Sequence, residues 1–336
     1  MENDQHKLLE WYDLNHRSLP WRDTSNPYYI WLSEIILQQT RVDQGLPYYI
    51  HFTETYPTVK DLANANEDQI LKSWEGLGYY SRARNLHAAA KYVSKDLKGI
   101  FPNNYKDILK LKGVGPYTGA AIASFAFKEK IAVLDGNVFR VLSRYFSCDT
   151  PIDSTLGKKE FTQLANEFLN QRVPDKHNQA IMELGALICS PRSPKCNECP
   201  LNEGCQSAYS NKWEELPVKS KKTKVKDLYM DFFVYRNKDQ VLIEKRSDSG
   251  IWKNLYQFPV EESFSSFNGN IKKETGYLKS SALFEHQLSH RSIKAHFHLI
   301  ESTIKKKKHQ TWVPIEKLDD YAFPKLILKY LIENQF

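Results

Sequence analysis

The chain has 336 residues, of which 41% are hydrophobic and 13% aromatic, so it is long enough for two domains and too apolar to be disordered. No apolar run reaches the roughly 18 residues that a membrane span requires, and the polar start MENDQH lacks the features of a secretory signal. We therefore expect a cytoplasmic protein with no membrane partner.

The net charge of +7 comes from two lysine-rich segments. Five lysines lie at 219–226 and four at 305–308, and the other 38 basic residues nearly balance the 40 acidic ones. Such runs bind phosphates in some proteins and are solvated loops in others. Taken alone, each run is compatible with both interpretations.

The hydrophobic periodicity predicts two parts of different fold class. Residues 1–207 carry helical repeats interrupted by Pro and Gly, and residues 211–227 have the composition of a linker. After the linker the pattern changes period and predicts strands at 229–235, 241–246 and 295–303. An apolar pattern at 324–334 predicts a closing helix. We expect a mostly α N-terminal part followed by a smaller α+β domain.

Glu34 is the first residue whose surroundings indicate chemistry. On a helix its neighbours at i−4 and i+3 are Ile30 and Leu37, which place the carboxyl in an apolar row. Burial there raises the pKa of a carboxyl, as a general acid requires. An exposed acid at the edge of an apolar stripe is the commoner alternative.

Two glycine turns precede helical segments. The sequence LKGVGPYT at 111–118 allows a tight turn at Gly113 and Gly115, with Pro116 at the first helical position. The helix N-terminus then offers free N–H groups to a phosphate. An ordinary αα-hairpin explains this segment equally well, and the turn at 76–82 carries the same ambiguity.

Asp135 precedes a helical repeat formed by Val138, Val141, Leu142 and Tyr145. Its simplest role is an N-cap, where the helix dipole and free N–H groups favour a charged carboxylate. We therefore expect Glu34 to tend toward the neutral form and Asp135 toward the charged form. Such a contrast divides acid and stabilising roles between carboxyls in glycoside chemistry.

Four of the five cysteines fall within 17 positions, at Cys189, Cys196, Cys199 and Cys205. Clustered cysteines in an intracellular chain indicate metal ligation before disulfides. The spacing does not distinguish structural zinc from iron–sulfur. The loop between the first two cysteines is basic and stiffened by proline, so Arg192 and Lys195 are candidates for phosphate contact.

Taken together, these segments resemble the helix-hairpin-helix superfamily of DNA glycosylases, and most closely the MutY-type adenine DNA glycosylases. The resemblance runs from about Trp11 to the C-terminus. It is carried by LPWR at 19–22, SEIILQQTRV at 33–42, GLGYYSRAR at 76–84, LKGVGPYT at 111–118, LDGNV at 134–138 and the cysteine spacing, all in the family's order.

The resemblance implies a domain arrangement. It predicts a glycosylase domain at 1–210, with a six-helix barrel containing the helix-hairpin-helix at about 21–130. An iron–sulfur lobe at 1–20 and 131–210 would hold one [4Fe–4S] cluster on the four cysteines. A linker at 211–227 and a Nudix-like domain at 228–336 would follow.

The same resemblance implies the chemistry. Glu34 would protonate adenine N7 and later help to activate water, and Asp135 would stabilise the sugar cation or attack it. The target base must first leave the helical stack, at a cost of a few kcal/mol. Further residues would form the adenine pocket or contact the DNA: Arg22, Gln39, Leu77, Tyr79, Gly113, Gly115, Tyr117, Asn137 and Gln179.

Tyr117 bears on the reaction type. In the related endonuclease III glycosylase-lyases this position holds the lysine that forms a Schiff base, and tyrosine cannot do that chemistry. The sequence therefore predicts a monofunctional DNA glycosylase, a hydrolase of N-glycosyl bonds that initiates base-excision repair.

The C-terminal part resembles the family's Nudix-like recognition domain, through GIWKNLYQFP at 250–259. The acidic Nudix motif does not follow that segment, which favours recognition over pyrophosphate hydrolysis. The family recognises 8-oxoguanine with a Phe-Ser-His loop, and the corresponding residues here are Leu288, Ser289 and His290. The expected substrate is adenine mispaired with 8-oxoguanine or guanine.

Three alternatives remain open to the sequence. They are an endonuclease III-like glycosylase-lyase for oxidised pyrimidines, a non-catalytic iron–sulfur DNA-binding protein, and a Nudix hydrolase with a DNA-binding partner domain. Tyr117, the retention of both carboxyls and the missing acidic motif, respectively, argue against them. We expect a monomer that binds double-stranded DNA in a bacterial cytoplasm, at the nucleoid.

Overall fold

The chain is described by a computed structural model that covers residues 1–208, 210–220, 225–247, 250–267, 271, 275–301 and 304–336. Contacts divide it into two units. The first comprises Met1–Ala63 and Ala88–Lys222, and the second comprises Asn64–His87 and Thr223–Phe336. Parts of the predicted linker, of the lysine-rich segment at 219–226 and of the strand predicted at 295–303 lie outside the described residues.

The predicted helical part is confirmed. Within the described residues, the α-helices of the chain are α1 (Glu2–Asn15), α2 (Pro27–Ile36), α3 (Val42–Thr55), α4 (Val59–Asn64), α5 (Glu67–Ser73), α6 (Ser81–Lys95), α7 (Tyr105–Ile108), α8 (Pro116–Phe127), α9 (Gly136–Tyr145), α10 (Thr155–Phe168), α11 (Pro174–Leu187) and α12 (Lys325–Glu333). None of these helices is both long and apolar enough to cross a bilayer.

The hairpin between α7 and α8 has the geometry that its sequence predicts. Gly113 adopts a φ of +83°, a conformation that favours glycine because it has no Cβ. Gly115 is the N-cap of α8, and Pro116 is the first residue of that helix. The turn is therefore followed directly by the first turn of α8. Proline is tolerated there because the N–H of the first helical residue has no partner within the helix.

Helix α9 packs its apolar face into the core of the first unit. Val138, Val141, Leu142 and Tyr145 are all buried, together with residues of α1, α10 and α11. Burying one such side chain contributes about 1.5–3 kcal/mol. This packing fixes the helix whose first turn carries Asp135.

Residues 211–220, within the predicted linker, make specific contacts in the first unit. The guanidinium of Arg144 donates to the carbonyl oxygens of Trp213 and Leu216, and Ile152 N donates to Val218 O. Ser220 donates to the Asp153 carboxylate. This part of the segment is therefore anchored to α9 and to the turn that precedes α10.

The second unit contains the predicted strands and closing helix. Its strands are β1 (Lys226–Asn237), β2 (Gln240–Lys245), β3 (Tyr256–Gln257), β4 (Val260–Ser263), β5 (Tyr277–Ser280), β6 (Phe284–Gln287), β7 (Arg291–Glu301) and β8 (Gln310–Pro314).

These strands form one mixed sheet. The order along its main path is β3-β2-β1-β7-β5, while β4 pairs with β1, β6 with β7 and β8 with β2. Strands β1 and β7 are parallel, from Lys226 opposite Arg291 to Arg236 opposite Glu301, and the other pairs are antiparallel. Helix α12 packs against the sheet, and its Tyr330 stacks on Phe297 at 4.0 Å between ring centroids.

Residues 64–87, between α4 and the middle of α6, belong to this second unit. Glu75 accepts a hydrogen bond from Phe323 N at 2.8 Å, and Tyr80 OH donates to Phe323 O at 3.2 Å. Arg84 donates to Lys253 O at 2.8 Å. The two residues that flank the turn at 76–79 are thus both bonded to the backbone of Phe323.

Candidate active site

Glu34 lies on a buried helix. Asn26 caps α2 by accepting from Tyr28 N at 3.0 Å, and Pro27 is the first residue of that helix. Glu34 is only 6% exposed, and burial raises the pKa of its carboxyl to about 7. Tyr117 OH donates to Glu34 Oε2 at 2.6 Å and opposes this rise, whereas the nearby Asp135 carboxylate adds to it.

Asp135 is the N-cap of α9, as its sequence position predicts. Its Oδ1 accepts from Val138 N at 2.7 Å, and its Oδ2 accepts from Asn137 Nδ2 at 2.8 Å. Burial nevertheless raises the pKa of Asp135, because it outweighs these hydrogen bonds and the charge of Arg140. The expectation that Asp135 is driven toward the charged form is therefore wrong in direction, since the sequence shows the cap but not the burial.

The two carboxyls line one open pocket of the first unit. The pocket has a cavity volume of about 180 Å³. Its lining includes the predicted residues Arg22, Glu34, Tyr117, Asp135, Asn137 and Gln179. Residues from four helices and from the chain before α2 are brought together here.

A buried ion cluster forms part of the pocket wall and was not found from the sequence. Glu183 is 1% exposed, and its two oxygens accept from Arg17 and Arg22 at 2.6–3.1 Å. Burial favours the neutral acid, but these hydrogen bonds outweigh it and lower the pKa of Glu183 to about 2. The spacing along α11 could have indicated Glu183 from the sequence. Glu183 lies four residues after Gln179 and therefore on the same helix face.

Tyr12, on α1, orients the side chain of Gln179. Tyr12 OH donates to Gln179 Oε1 at 2.7 Å, and the guanidinium of Arg22 lies 5.7 Å from the centroid of the Tyr12 ring. Helix α1 thus supports the pocket residues of α11 and of the segment before α2.

A chain of hydrogen bonds connects Asp135 with the cysteine segment. Asn137 donates to Asp135, and its Oδ1 accepts from Arg140 NH2 at 2.9 Å. Arg140 also donates to Gly185 O at 2.7 Å and to Cys189 O at 2.8 Å. The position of Asp135 is therefore tied to the backbone of the first cysteine.

The four cysteines line one small cavity, which has a volume of about 30 Å³. Arg144 NH1 donates to Cys189 Sγ at 3.4 Å, and the backbone at Leu201, Ser207 and Ala208 acts to lower the pKa of Cys199 and Cys205. Burial raises the pKa of Cys199 to about 12, so this thiol is not a thiolate on its own at neutral pH. No three acidic, His or Cys side chains of the described ranges have the geometry of a single-ion site.

A buried hydroxyl adjoins the same cavity. Ser207 lines it and is fully buried, and within the described part of the chain its Oγ has no hydrogen-bond partner. Four soft sulfur ligands, a donor directed at sulfur and an unsatisfied hydroxyl fit a thiolate-bound metal group.

Comparison with known proteins identifies the family. The chain is 39% identical to the adenine DNA glycosylase of Buchnera aphidicola subsp. Baizongia pistaciae over 84% of this chain and 82% of that protein. It is 33% identical to that of Buchnera aphidicola subsp. Schizaphis graminum over 96% of both chains. This chain belongs to the adenine DNA glycosylase family.

Three family models cover the parts of the chain. The HhH-GPD superfamily of base excision DNA repair proteins matches 32–170, the iron–sulfur binding domain of endonuclease III matches 189–205, and the NUDIX domain matches 231–333. A solved thermostable thymine-DNA glycosylase aligns with a TM-score of 0.56 and 32% identity, over 61% of this chain and 94% of that structure. The predicted order of parts is confirmed.

The iron–sulfur match settles the alternative that the spacing left open. Its limits are Cys189 and Cys205, so the segment that lines this cavity is an iron–sulfur binding segment. The structural zinc interpretation is not needed.

The remaining predicted residues lie outside the pocket lining. Gln39 is exposed and has a φ of +56°. Leu77 and Tyr79 are in the second unit, where Leu77 is buried and Tyr79 is 49% exposed. Their expected roles in the family, and those of Gly113 and Gly115, stay predictions.

The predicted opposing-base residues form the connection between β6 and β7 in the second unit. Leu288 N donates to Arg291 O at 2.8 Å, which closes the turn, and the Leu288 side chain packs against the core of that unit. Ser289 and His290 are exposed at its tip. Leu288 therefore anchors the loop, and the roles of Leu288, Ser289 and His290 in base recognition stay predictions.

Proposed function

We propose that this chain is a monofunctional glycosylase that removes adenine mispaired with 8-oxoguanine or guanine in duplex DNA, as the first step of base-excision repair. The observation that carries the proposal is the pairing of Glu34 and Asp135 in one pocket, with the pKa of Glu34 raised to about 7. An acid with that pKa is both protonated and able to give up its proton near neutral pH. Membership in the adenine DNA glycosylase family supplies the substrate class.

Glu34 is the general acid of the proposed mechanism. Once adenine has left the stack and entered the pocket, the protonated Glu34 carboxyl donates to N7 of the base. The C1′–N9 bond then breaks, its electron pair leaves with adenine, and positive charge develops on the sugar. The resulting Glu34 carboxylate accepts a proton from the attacking water, which restores the acid.

Asp135 is placed to stabilise the sugar cation. Its carboxylate is oriented by Val138 N and Asn137 Nδ2, so it needs little reorganisation when the charge develops. Asn137 is in turn held by Arg140. We infer that Asn137 and Arg140 act on the reaction through the position of Asp135.

The ion cluster positions the flipped nucleotide. Glu183 is saturated by Arg17 and Arg22, so it holds two guanidinium groups at the pocket wall without adding a free negative charge. Arg22 and Gln179 are the proposed contacts to the nucleotide, and Tyr117 lies beside adenine. Gln39 and Tyr79, with Leu77, are proposed to fill the vacated position in the duplex.

The iron–sulfur group is proposed to be one [4Fe–4S] cluster. Cys189, Cys196, Cys199 and Cys205 would hold it, and when bound it would crosslink their segments and supply reversible one-electron chemistry. Through Arg140, the backbone of Cys189 is tied to the Asp135 cap. The proposed role of these contacts is to hold Asp135 in place.

Ser289 and His290 are proposed to distinguish 8-oxoguanine from guanine. Both are exposed at the tip of the turn, where a hydroxyl and an imidazole can donate to or accept from the base opposite adenine. We expect Ser289→Ala and His290→Ala to reduce the ratio of the excision rates opposite 8-oxoguanine and guanine. Unchanged ratios in both variants would contradict this role.

The test of the proposed function is single-turnover excision on duplexes with adenine opposite 8-oxoguanine, guanine or thymine. We expect release to be fastest opposite 8-oxoguanine and to be lost in Glu34→Gln. Glu54→Gln, on the exposed side of α3, is the matched control and should behave as wild type. Absence of adenine release by an iron-loaded wild-type protein would refute the proposal.

Borohydride trapping tests the monofunctional assignment. Tyr117 has no amine with which to form a Schiff base, so the wild-type protein should not be trapped efficiently on adenine-containing duplex. Efficient trapping would instead indicate a glycosylase-lyase.

A further inference from the structure

The wall of the cavity lined by the four cysteines includes Ser207, whose hydroxyl has no partner among the residues that the structure describes. Ser207 follows the last of these cysteines by two residues, and its side chain is fully buried. Within the residues that the structure describes, no protein atom accepts from or donates to its Oγ. A buried hydroxyl without a hydrogen bond costs about 1–3 kcal/mol, so folded proteins rarely leave one unsatisfied.

The surroundings of Ser207 determine which partner fits. The cavity beside it is lined by the four thiols and by Ile188, Ala208 and Trp213, among others. Ser207 lies two residues after Cys205, and both residues line this cavity. The chain therefore runs along the sulfur side of the site at this residue, and the buried hydroxyl belongs to the same wall.

We propose that the Ser207 hydroxyl donates a hydrogen bond to a sulfur of the iron–sulfur cluster and thereby sets its reduction potential and its retention. The inference rests on the iron–sulfur assignment of the proposed function. Sulfur atoms of such clusters carry negative charge and accept hydrogen bonds, and each bond stabilises the more reduced, more negative state. Ser207 is thus a cluster-tuning residue with no direct role in base removal.

The experiment is a potentiometric titration of the full-length, cluster-loaded protein, monitored by cluster absorbance. Ser207→Ala should shift the midpoint potential to a more negative value, because the variant lacks a donor to sulfur. Ser207→Thr keeps the hydroxyl and should remain near wild type. Ser210→Ala, at an exposed position three residues away, is the matched control and should not shift.

A second measurement does not depend on the redox couple. Release of iron to a chelator should be several times faster in Ser207→Ala than in wild type, and unchanged in Ser207→Thr and Ser210→Ala. This readout remains available if the alanine variant retains its cluster only briefly.

The outcomes separate this inference from the proposed function. An iron-loaded Ser207→Ala protein with the potential and iron-release rate of wild type overturns the role of Ser207 alone. A wild-type protein that folds, excises adenine and contains no iron overturns both the cluster assignment and this inference. A negative shift with faster iron release, in Ser207→Ala only, supports the inference.

Discussion

Ionisation of the buried Glu34 carboxyl lowers the free energy of unfolding of the protein. Its pKa is raised from 4.5 to about 7 in the folded chain, so the folded state binds this proton more tightly than the unfolded state. Its contribution to stability is fully present below pH 4.5 and is lost as the pH rises through about 7. The same burial that prepares the acid thus destabilises the folded protein at alkaline pH.

Glu34→Gln should therefore stabilise the protein in a pH-dependent manner. The neutral amide resembles the protonated acid at every pH, so we expect little difference near pH 4.5 and a gain on the order of 2–3 kcal/mol above pH 8. Urea unfolding at several pH values measures this, with Glu54→Gln as the exposed control. A stability difference that does not vary with pH would contradict the expectation.

The hydroxyl of Tyr117 affects the pKa of Glu34. Its hydrogen bond to Glu34 favours the carboxylate and lowers the pKa of Glu34 against the effect of burial. Tyr117→Phe removes this donor, so the pKa of Glu34 should rise further. The pH profile of single-turnover excision should then keep its alkaline limb but move it to higher pH.

The direction in which the alkaline limb moves tests the role of the Tyr117 hydroxyl. If the phenylalanine variant loses activity at a lower pH than wild type, the hydroxyl does not act by stabilising the Glu34 carboxylate. Tyr92→Phe, at an exposed position of α6, provides the control for removal of a phenol hydroxyl and should leave the profile unchanged.

At the scale of elements, the turn between α5 and α6 is held by hydrogen bonds from both of its ends. Glu75 accepts from Phe323 N, and Tyr80 donates to Phe323 O while its oxygen lies 3.3 Å from Gly76 N. Phe323 itself is buried in the core of the second unit. The chain that carries Leu77 and Tyr79 is thus fixed by a residue far away in sequence.

Tyr80→Phe should destabilise the protein by about 1–2 kcal/mol, because it leaves the buried Phe323 carbonyl and the part-buried Gly76 N–H short of a partner. Thermal unfolding measures the change, and Tyr92→Phe should cost much less. If the turn needs this support to act on DNA, Tyr80→Phe should also slow excision more than it weakens DNA binding. Equal stability of the Tyr80 and Tyr92 variants would exclude the proposed support.

The elements themselves were largely predictable, because each depends on local pattern. The apolar runs of β1 and β2 and the apolar face of α12 are visible in the sequence, as are the cap at Asp135 and the glycine turn at 113. These features follow from backbone geometry within a few residues.

The features that the sequence did not predict depend on contacts between residues far apart in the chain. The hydrogen bond from Tyr117 to Glu34 spans 83 residues, and the contact from Arg22 to Glu183 spans 161. The pKa of Asp135 was predicted in the wrong direction because its burial comes from tertiary packing. The pairing of residues 64–87 with the C-terminal part has no local signal for the same reason.

For the whole molecule, we expect DNA affinity to depend more on where the positive charges lie than on the net charge. The net charge of +7 attracts any duplex, but only side chains that reach phosphates release counterions on binding. Arg192 and Lys195 are exposed on the proline-stiffened loop between Cys189 and Cys196, next to the iron–sulfur site. We expect both to contact phosphates of the bound duplex.

Replacing Arg192 and Lys195 by Gln should weaken binding to mismatched and fully paired duplexes alike, since phosphate contacts carry no sequence information. The slope of log K against log salt should fall by about 0.9 for each phosphate that is no longer neutralised, or by about 2 in the double variant. Lys158→Gln with Lys159→Gln on α10 removes the same charge from another exposed surface and should leave the slope nearly unchanged. Equal slopes for the two double variants would show that net charge, and not the loop, governs DNA binding.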